Sequence, residues 1–576
     1  MEVQRDVRAA RPADAPHGNG RASPDGTRGA VDVDHHGRRG RDAGATRLKE
    51  QLSELLRDGQ RLVVVSNRGP LSFSTDREGR WDAQRGSGGL VTALAELGRI
   101  APVTWVSTAM NPADRLAAKA LAEGGTTSDE LEALIRAQLP DQDLRLLMAD
   151  VSDAAYDLHY ATVSNPFLWF IQHRLYQLPY EPQVDDRLIG AWRDGYRVVN
   201  EALAKAAIEA ASGDRPIVLL QDYHLYLAAG AIRAARPDAL LLHFNHIPWP
   251  SPDYWEVLPQ ALRRAICEGL LENDILGFQT DRYATNFLGT VDRFVRDARV
   301  DPSGRNVRWR GRTIWVRAYP ISLDPDALLR FARGPEVSAR GEALRERLER
   351  AGRPQLVVRV DRLEPSKNAL RGFLAFEALL QRRPELRASV RFLAIQSTSR
   401  ENLAEYAAYS AAVREVVARV NGMGDPDEAP IWLLDGSDYA LAIAALQLAD
   451  TVLVNPIVDG MNLVAKEAVL VAEPVLVLSE TAGAAEQLAT DSLMVTAADV
   501  AGTARALEQA LGMSAGDRRQ RARRLRASVR EEDLEWWLGR QVRDLAQVSA
   551  GRRPPSRQLR DTVRRFEPLL EETATR

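Results

Sequence analysis

The sequence has almost no cysteine, no long apolar run and almost no net charge. Cys267 is the single cysteine among 576 residues, so the chain can form neither an internal disulfide nor a cysteine-based metal site. No apolar stretch approaches the roughly 18 residues of a membrane span, and no apolar core of a secretory signal is present near the N-terminus. Lys and Arg total 76 against 79 Asp and Glu, which gives no general attraction to nucleic acid or membranes. The near absence of cysteine favours a reducing compartment, so we expect a cytoplasmic protein, and we predict no nucleic-acid or membrane partner.

The two ends of the chain differ from its middle. Residues 1–46 contain no Leu, Ile, Phe, Tyr or Trp, so they bury too little apolar surface to offset their ordering entropy. We predict a disordered tail over 1–46 and a short helix over 47–60, whose leucines share one face. The segment 548–576, rich in Arg and Pro from Gly551 onward, is predicted to be a C-terminal tail.

From Arg61 onward, short runs rich in Val and Leu alternate with helix-length segments. This pattern indicates parallel sheets covered by helices on both faces, and hence an α/β fold. A boundary between Tyr319 and Pro325 predicts two doubly wound, Rossmann-like domains, 61–322 and 323–547, which face each other across a cleft. Whether the last helix packs back on the first domain is left open. The predicted strands are Leu62–Val65, Val103–Val106, Ile217–Leu220, Leu240–Phe244 and Ile314–Arg317, then Leu356–Val360, Val390–Ile395, Ile431–Leu434, Thr451–Val454 and Val475–Leu478.

A phosphate-binding pattern follows the first predicted strand. Arg68 stands in S-N-R-G-P, and R-G-S-G-G-L, with Gly88 and Gly89, opens a predicted helix at Leu90. Backbone N–H groups at a helix N-terminus bind anions, and an arginine adds a forked contact to phosphate. Taken alone, a tight turn beside a surface arginine explains the pattern equally well.

Two further polar residues follow strands of the first series. Asp222 stands in Q-D-Y-H-L, and His246 stands in H-F-N-H-I-P-W-P. A carboxylate accepts hydrogen bonds from sugar hydroxyls, and a neutral imidazole donates or accepts one. A helix-capping Asp and a core His are the alternative. The carboxyl ends of strands are where open α/β sheets bind ligands, which favours a site.

The second series carries cations and carboxylates in the same kind of position. Arg362 and Lys367, in V-D-R-L-E-P-S-K-N, suit a diphosphate beside a helix N-terminus. In D-G-M-N-L-V-A-K-E, Asp459 is placed to bind a hydroxyl, and Glu467 lies a turn into a helix, where it can bind a ribose diol. Caps and surface pairs would explain each residue separately, but together they indicate a nucleoside-diphosphate site. No metal-ligand cluster is visible, and we predict neither a metal nor a cofactor.

These motifs resemble the trehalose-6-phosphate synthases, family 20 of the retaining glycosyltransferases, from about Arg61 to about Trp537. The resemblance implies the GT-B fold, with the acceptor held mainly by the first domain and the sugar nucleotide mainly by the second. It implies transfer of glucose from UDP-, GDP- or ADP-glucose to glucose 6-phosphate, giving α,α-trehalose 6-phosphate with the anomeric configuration retained. The motifs that carry it are S-N-R…G-G-L, D-Y-H-L, H-I-P-W-P, N-D-I-L-G-F-Q-T, R-L-E-P-S-K, T-S-R and D-G-M-N-L-V-A-K-E.

The resemblance also implies individual site residues. The acceptor residues would be Arg68, Tyr160, Trp169, Asp222 and Arg400, with Arg400 closing T-S-R. The donor residues would be Gly88, Gly89, His246, Arg362, Lys367, Asp459, Met461, Asn462, Leu463 and Glu467. The residues expected to act in catalysis are Arg362, Lys367, Asp222 and His246.

The chain departs from the family pattern at two places. Asn368 stands where the family commonly has glycine after S-K, and H-I-P-W-P, followed by S-P-D-Y-W, replaces H-I-P-F-P. W-P-S-P-D-Y-W is also a feature of members that couple cyclitols through nitrogen. The alternatives are therefore such a pseudo-glycosyltransferase, or a family transferase with another acceptor of the glucosylglycerol-phosphate type. A non-catalytic subunit would be expected to lack Arg362, Lys367 or Glu467. The donor base and the oligomeric state, including a homo-oligomer, stay open.

Overall fold

The structure is a computed structural model that describes residues 46–56, 59–86, 93–398, 403–423 and 429–551. The predicted tail over 1–46, apart from its last residue, lies outside the described residues, as does the chain beyond Gly551. A helix over residues 46–55 occupies the region of the predicted short helix, and its Leu48 and Leu52 are buried. At the other end the last helix extends to Gly551, past the predicted boundary at 547.

The first domain is built on a nine-stranded sheet in the order β5-β4-β1-β6-β7-β8-β11-β10-β9. Its central strands are continuous apolar runs, buried on both faces, as parallel strands covered by helices require. All pairs are parallel except those of β10, which runs antiparallel to β9 and β11. The strands are β1 (Leu62–Val65), β4 (Val103–Thr108), β5 (Leu144–Ala149), β6 (Ile217–Gln221), β7 (Leu240–Asn245), β8 (Ile275–Phe278), β9 (Arg299–Asp301), β10 (Asn306–Trp309) and β11 (Arg312–Ala318), and a separate hairpin pairs β2 (Leu71–Thr75) with β3 (Trp81–Arg85).

The second domain is built on a six-stranded parallel sheet in the order β14-β13-β12-β15-β16-β17. Both sheets follow the Rossmann strand order, in which the first strand of each lies between the second and the fourth parallel strands. The prediction of an α/β fold with two doubly wound domains is confirmed. The strands are β12 (Gln355–Arg362), β13 (Val390–Ser397), β14 (Ile431–Asp435), β15 (Thr451–Val454), β16 (Val475–Ser479) and β17 (Leu493–Val495).

Helices cover both sheets. A π-helical stretch, Leu158–Leu168, carries a kink at Asn165, and a second one spans Trp192–Tyr196. The helices of the first part of the chain are α1 (46–55), α2 (Leu97–Ile100), α3 (Pro112–Glu123), α4 (Thr126–Gln138), α5 (Asp153–Asp157), α6 (Trp169–Gln172), α7 (Asp186–Ala191), α8 (Arg197–Ala210), α9 (Ala228–Ala235), α10 (Gln260–Leu271) and α11 (Asp281–Phe294). Those that follow are α12 (Pro325–Ala332), α13 (Pro335–Arg350), α14 (Ala369–Arg382), α15 (Leu386–Ser389), α16 (Ala404–Asn421), α17 (Tyr439–Leu448), α18 (Leu463–Val471), α19 (Ala485–Leu488), α20 (Val500–Leu511), α21 (Ala515–Glu531) and α22 (Leu534–Gly551). No helix in the described ranges is long and apolar enough to cross a membrane.

The last helix, α22, returns to the first domain. The indole N–H of buried Trp537 donates to the carbonyl of Tyr319 at 3.1 Å, and the Tyr319 hydroxyl donates to Asp544 at 2.6 Å. Near the end of the helix, Arg215 donates to the carbonyl of Ser549 at 2.7 Å. These contacts tie the C-terminal helix, which follows the second domain along the chain, to the first domain.

Candidate active site

The polar motifs lie at the point in each sheet where the strand order reverses. Arg68 follows β1 and Asp222 follows the neighbouring β6, while Arg362 ends β12 and Asp459 follows the neighbouring β15. In a Rossmann order the helices after these two strands run to opposite faces, which leaves a crevice at the carboxyl edge. The sequence motifs therefore converge on one crevice in each domain.

Aromatic rings and Arg68 form the outer part of the first crevice. Arg68 donates to the hydroxyl of Tyr160 at 3.1 Å, and its guanidinium lies 5.6 Å from the centre of that ring. Tyr160 stacks between Tyr156 and His224, at 5.7 and 6.1 Å between ring centres. The arrangement fixes an exposed cation at the edge of an aromatic wall, which suits an anionic group on a sugar.

Trp169 lies deeper on the same side. Its ring stacks on His173 at 3.8 Å between centres and lies 5.7 Å from Tyr223. The Tyr223 hydroxyl donates to Asn165 Oδ1 at 2.6 Å, at the kink that precedes α6. The π-helical stretch thereby brings Tyr160, Asn165 and Trp169 to one wall.

Asp222 is held in a strained backbone conformation at the end of β6. Its φ of 72° lies in the left-handed region, which non-glycine residues seldom adopt. Its N–H donates to the carbonyl of Phe244 at 2.8 Å, and its Oδ1 accepts from the N–H of His246 at 3.1 Å. Burial raises the pKa of Asp222 to about 7, although backbone N–H groups of Tyr223, His246 and Ile247 oppose the shift. The carboxyl group is thus a positioned acceptor that titrates near neutrality.

His246 is neutral at physiological pH. Burial, with His243 nearby, lowers the pKa of His246 to about 3. Nε2 lies 2.9 Å from Gln221 Oε1, and Nδ1 lies 3.5 Å from Gln279 Nε2. An amide oxygen beside Nε2 and an amide nitrogen beside Nδ1 both match the tautomer protonated on Nε2. The two glutamines hold the imidazole ring in place, and its low pKa leaves the ring uncharged.

In the second domain, Lys367 and Asp459 form an ion pair. Lys367 Nζ lies 2.6 Å from Asp459 Oδ2, and Asn462 Nδ2 donates to the same oxygen at 3.1 Å. Burial alone would raise the pKa of Asp459, but Lys367, together with His173 and Asn462, outweighs burial and holds that pKa below its usual range. Asn462 also caps α18, because its side chain accepts from the N–H of Ala465. One loop therefore orders a cation, a carboxylate and a helix N-terminus.

Arg362 is the more exposed cation. It donates to Glu364 Oε1 at 3.1 Å, and the Glu364 side chain is fully buried. Met461 is buried beside the loop, and its carbonyl accepts from the N–H of Ala484, while Leu463 begins α18. The Arg362 guanidinium is about half exposed, so it remains accessible to a ligand.

Hydrogen bonds from Asn368 and Arg359 hold the turn that carries Lys367. Asn368 adopts the left-handed region with φ 61°, and its side chain donates to the carbonyls of Asn455 and Ala497 at 2.9 and 2.8 Å. Buried Arg359 donates to the carbonyl of Lys367 at 2.9 Å and pairs with Asp361. Asparagine tolerates this backbone region better than most residues, which explains how it replaces the glycine common in the family.

Glu467 lies in α18 with 9% of its surface exposed. Its Oε1 accepts from the Tyr439 hydroxyl at 2.9 Å, and burial raises the pKa of the carboxyl group. Among the described side chains, Tyr439 is the single hydrogen-bond donor to Glu467. The carboxylate lies at the carboxyl edge of the sheet, beyond the Lys367–Asp459 pair along the motif.

The two crevices meet at His246. A Cβ at Gly460 would lie 1.9 Å from the His246 carbonyl oxygen, so only glycine allows this approach. Close by, the Tyr283 hydroxyl donates to the carbonyl of Asp459 at 2.7 Å, and Glu486 accepts from the N–H groups of Asp281 and Arg282. The His246 segment of the first domain and the Asp459 loop of the second domain are thus in direct contact.

Three predicted site residues, Gly88, Gly89 and Arg400, lie outside the described residues. Within the described ranges, no group of three or more His, Cys, Asp or Glu could hold a metal ion. The tryptophans of W-P-S-P-D-Y-W do not line the site, because Trp249 and Trp255 are buried and pack together at 4.5 Å between centres. The two tryptophans of the motif therefore belong to the core, whereas its Asp253 is exposed.

Sequence reasoning missed several residues that position the site. Gln221 and Gln279 were visible within Q-D-Y-H-L and N-D-I-L-G-F-Q-T, yet nothing in those motifs shows that they flank one imidazole. Glu364 likewise stands inside R-L-E-P-S-K. Tyr439 and Tyr283 lie outside every motif considered, and no sequence signal could have found them.

Comparison with known proteins agrees with this geometry. The family model for glycosyltransferase family 20 matches residues 60–547. The chain is 33% identical to a bifunctional trehalose-6-phosphate synthase/phosphatase of Thermoproteus tenax over 498 residues, covering 83% of this chain and 62% of that protein's length. It is 31% identical to validamine 7-phosphate valienyltransferase of Streptomyces hygroscopicus subsp. jinggangensis, over 86% of this chain and 96% of the relative.

A solved structure shares the fold. The α,α-trehalose-phosphate synthase (UDP-forming) of Burkholderia xenovorans, in complex with glucose-6-phosphate, superposes with a TM-score of 0.70 at 28% identity, covering 84% of this chain and 99% of that one. The predicted GT-B architecture and the predicted family are both confirmed, and the chain belongs to glycosyltransferase family 20.

Proposed function

We propose that this chain transfers glucose from a nucleoside-diphosphate glucose to glucose 6-phosphate, releasing α,α-trehalose 6-phosphate and the nucleoside diphosphate. The observation that carries the proposal is the pairing of two crevices at the His246–Gly460 contact, one with an exposed arginine and a positioned carboxyl group, the other with two cations and two carboxylates. The UDP-forming Burkholderia relative holds glucose-6-phosphate, which supports this acceptor.

On the acceptor side, Arg68 and Tyr160 would bind the phosphate, together with Arg400. Trp169 would cover the sugar, and Asp222 would accept a hydrogen bond from one of its hydroxyls. The Asp222 carboxyl group lies beside His246, because its Oδ1 accepts from the His246 N–H, and the carbonyl of His246 lies against Gly460 of the second domain. The acceptor would therefore lie between the aromatic wall and His246.

On the donor side, Arg362 and Lys367 would bind the diphosphate, and the family resemblance assigns Gly88 and Gly89 to the same ligand. Asp459 would accept hydrogen bonds from glucose hydroxyls, backed by Met461, Asn462 and Leu463, and Glu467 would bind the ribose. The donor is itself a substrate, so the proposed reaction uses no cofactor. A cytoplasmic location stays the prediction made from the sequence.

The bond from the glucose anomeric carbon to the diphosphate oxygen breaks, and a bond to the acceptor hydroxyl oxygen forms on the same face. The hydroxyl proton passes to the departing diphosphate oxygen. A double displacement would instead need a free carboxylate nucleophile at the anomeric carbon. Asp459 is engaged by Lys367 and Asn462, and Asp222 is engaged by backbone N–H groups, so both are built as hydrogen-bond acceptors. Lys367 and Arg362 stabilise the charge that grows on the leaving group.

A second function has one observation in its favour. Validamine 7-phosphate valienyltransferase is as similar to this chain as many trehalose-forming relatives are, and it covers almost the whole fold. In that alternative a cyclitol amine would take the place of the sugar hydroxyl as acceptor. The W-P-S-P-D-Y-W motif no longer discriminates, because both of its tryptophans pack in the core.

The test is a matrix of donors and acceptors. UDP-, GDP- and ADP-glucose would each be combined with glucose 6-phosphate, glucose, glycerol 3-phosphate and a cyclitol amine 7-phosphate, and nucleoside-diphosphate cyclitol donors would be added. Mass spectrometry identifies each product, and proton NMR of the anomeric couplings reports retention. Trehalose 6-phosphate as the main product is expected. If only the cyclitol donor and the cyclitol amine acceptor react, the proposal is wrong and the chain is a transferase that couples cyclitols through nitrogen.

A further inference from the structure

Tyr439 lies beside Glu467, although no motif contains it. It is the first residue of α17, which follows the edge strand β14, and Asp438 caps that helix. Helix α18, with Glu467, starts at the same carboxyl edge of the sheet. Tyr439 therefore stands on the rim of the crevice rather than behind it.

The Tyr439 hydroxyl determines how Glu467 is presented. It donates to Oε1 at 2.9 Å, and no other donor among the described residues contacts that carboxylate. A side chain only 9% exposed is thus held by one hydroxyl, which leaves Oε2 to accept from a ligand. A carboxylate offers more acceptor positions than one phenol fills, so a diol can bind beside it.

The Tyr439 ring is unusually exposed for an aromatic residue. It is 49% exposed, and Phe331 of α12 stacks against it at 5.3 Å between ring centres, with planes 24° apart. Phe331 covers and steadies one side of the ring. Aromatic rings in this situation bind nucleobases by stacking, whatever the base.

We propose that Tyr439 binds the nucleoside of the donor: its hydroxyl orients Glu467 toward the ribose diol, and its exposed ring contacts the nucleobase. This inference rests on the assignment of Glu467 to the ribose in the proposed function. It adds a donor-binding residue on α17, and the stacked ring of Phe331 would hold the Tyr439 ring in place.

The test measures binding of nucleoside diphosphates without any acceptor. Titration calorimetry compares UDP, GDP and ADP with their 2′-deoxy forms on the wild type, Tyr439→Phe and Tyr439→Leu. Tyr439→Phe should weaken the ribose form by roughly tenfold and the 2′-deoxy form by less than about twofold, since the diol contact is already lost there. Tyr439→Leu should weaken both forms by a further factor of about ten, because the base loses its aromatic contact.

Tyr180→Phe is the matched control. Tyr180 is 74% exposed in another part of the chain, so this variant should bind nucleoside diphosphates as the wild type does. Equal weakening of both forms by Tyr439→Phe, unchanged binding, or no binding of any nucleoside diphosphate by the wild type would overturn the inference. If Tyr439→Leu fails to fold, Tyr439→Phe alone decides. Failure of the donor and acceptor matrix with the binding pattern intact would remove the proposed function and leave the role of Tyr439 standing.

Discussion

Lys367 is the residue whose loss should reveal the chemistry most directly. Its ammonium group lies 2.6 Å from Asp459 Oδ2, and its side chain is 16% exposed. Lys367→Ala removes a cation from the place where the diphosphate would leave, while the buried Asp459 carboxylate stays. The Lys367 turn itself is held by Asn368 and Arg359, so the backbone should keep its shape.

The expected effect falls on kcat more than on binding. An electrostatic contact that strengthens as charge develops contributes about 10²–10³-fold to kcat, or about 2.7–4 kcal/mol. In the ground state Asp459 already neutralises Lys367, so exchanging that partner for a diphosphate gains little. We expect nucleoside-diphosphate affinity to fall by about tenfold or less, since a hydrogen bond to a charged group contributes about 1.5–3 kcal/mol before that exchange.

Removing the lysine also changes the titration of Asp459. Lys367 lowers the pKa of Asp459 below 3.8 against the opposing effect of burial, so the pair stabilises the fold above pH 3.8 and that stability is lost as the pH falls below it. The loss of Tm in Lys367→Ala should therefore be full above pH 3.8 and should shrink at lower pH.

Steady-state rates at saturating donor, with calorimetric binding of the nucleoside diphosphate, separate the two effects. Lys367→Arg keeps the charge and should retain more activity, and Lys119→Ala, on a side chain 71% exposed on α3, is the matched control. A near-normal kcat for Lys367→Ala at saturating donor would refute the leaving-group role. A loss confined to donor KM would mean that the lysine binds ground and transition states equally.

Three further predictions concern the rest of the site. Arg68→Ala should raise KM for glucose 6-phosphate by about tenfold or more while the donor KM stays unchanged, because one charge-assisted contact to the phosphate is lost. Equal use of glucose and glucose 6-phosphate by the wild type would contradict this prediction. Burial raises the pKa of Asp222 from 3.8 to about 7, so the proton it binds stabilises the fold below pH 3.8 and that stability is lost as the pH rises to about 7. As the pH rises from 3.8 to about 7, the Tm of Asp222→Asn should therefore increase relative to the Tm of the wild type. A Tm difference that does not change with pH would contradict the raised pKa of Asp222. Asn368→Gly keeps the left-handed backbone but loses the three side-chain hydrogen bonds of Asn368, to Asn455, Ala497 and Arg371. Asn368→Ala loses the hydrogen bonds and also strains the backbone, so thermal melts should rank wild type, Gly, then Ala. An Ala variant as stable as Gly would contradict the strain argument.

The local pattern predicted the buried parallel strands well. Thr451–Val454 and the helix Leu463–Val471 have the observed bounds, because a short apolar run followed by an amphipathic segment has few alternatives. Strands with a mixed or interrupted pattern were missed. In β8, Gly277 breaks the run I-L-G-F, and a Cβ there would lie 2.6 Å from Phe244, a constraint that only the packed sheet reveals. β9 and β10 are short and partly exposed, so they carry no clear apolar period.

Strand burial and loop chemistry are local properties, so the α/β class, the two series of strands and the motifs at strand termini could all be predicted from the sequence. Which residues come into contact depends on the packing of the whole chain. That packing put Gln221 and Gln279 on either side of His246, brought Tyr439 to Glu467, and buried the tryptophans of W-P-S-P-D-Y-W in the core. These contacts join segments far apart in the chain, and they depend on strand order and on the approach of two domains at Gly460, which no local spacing encodes.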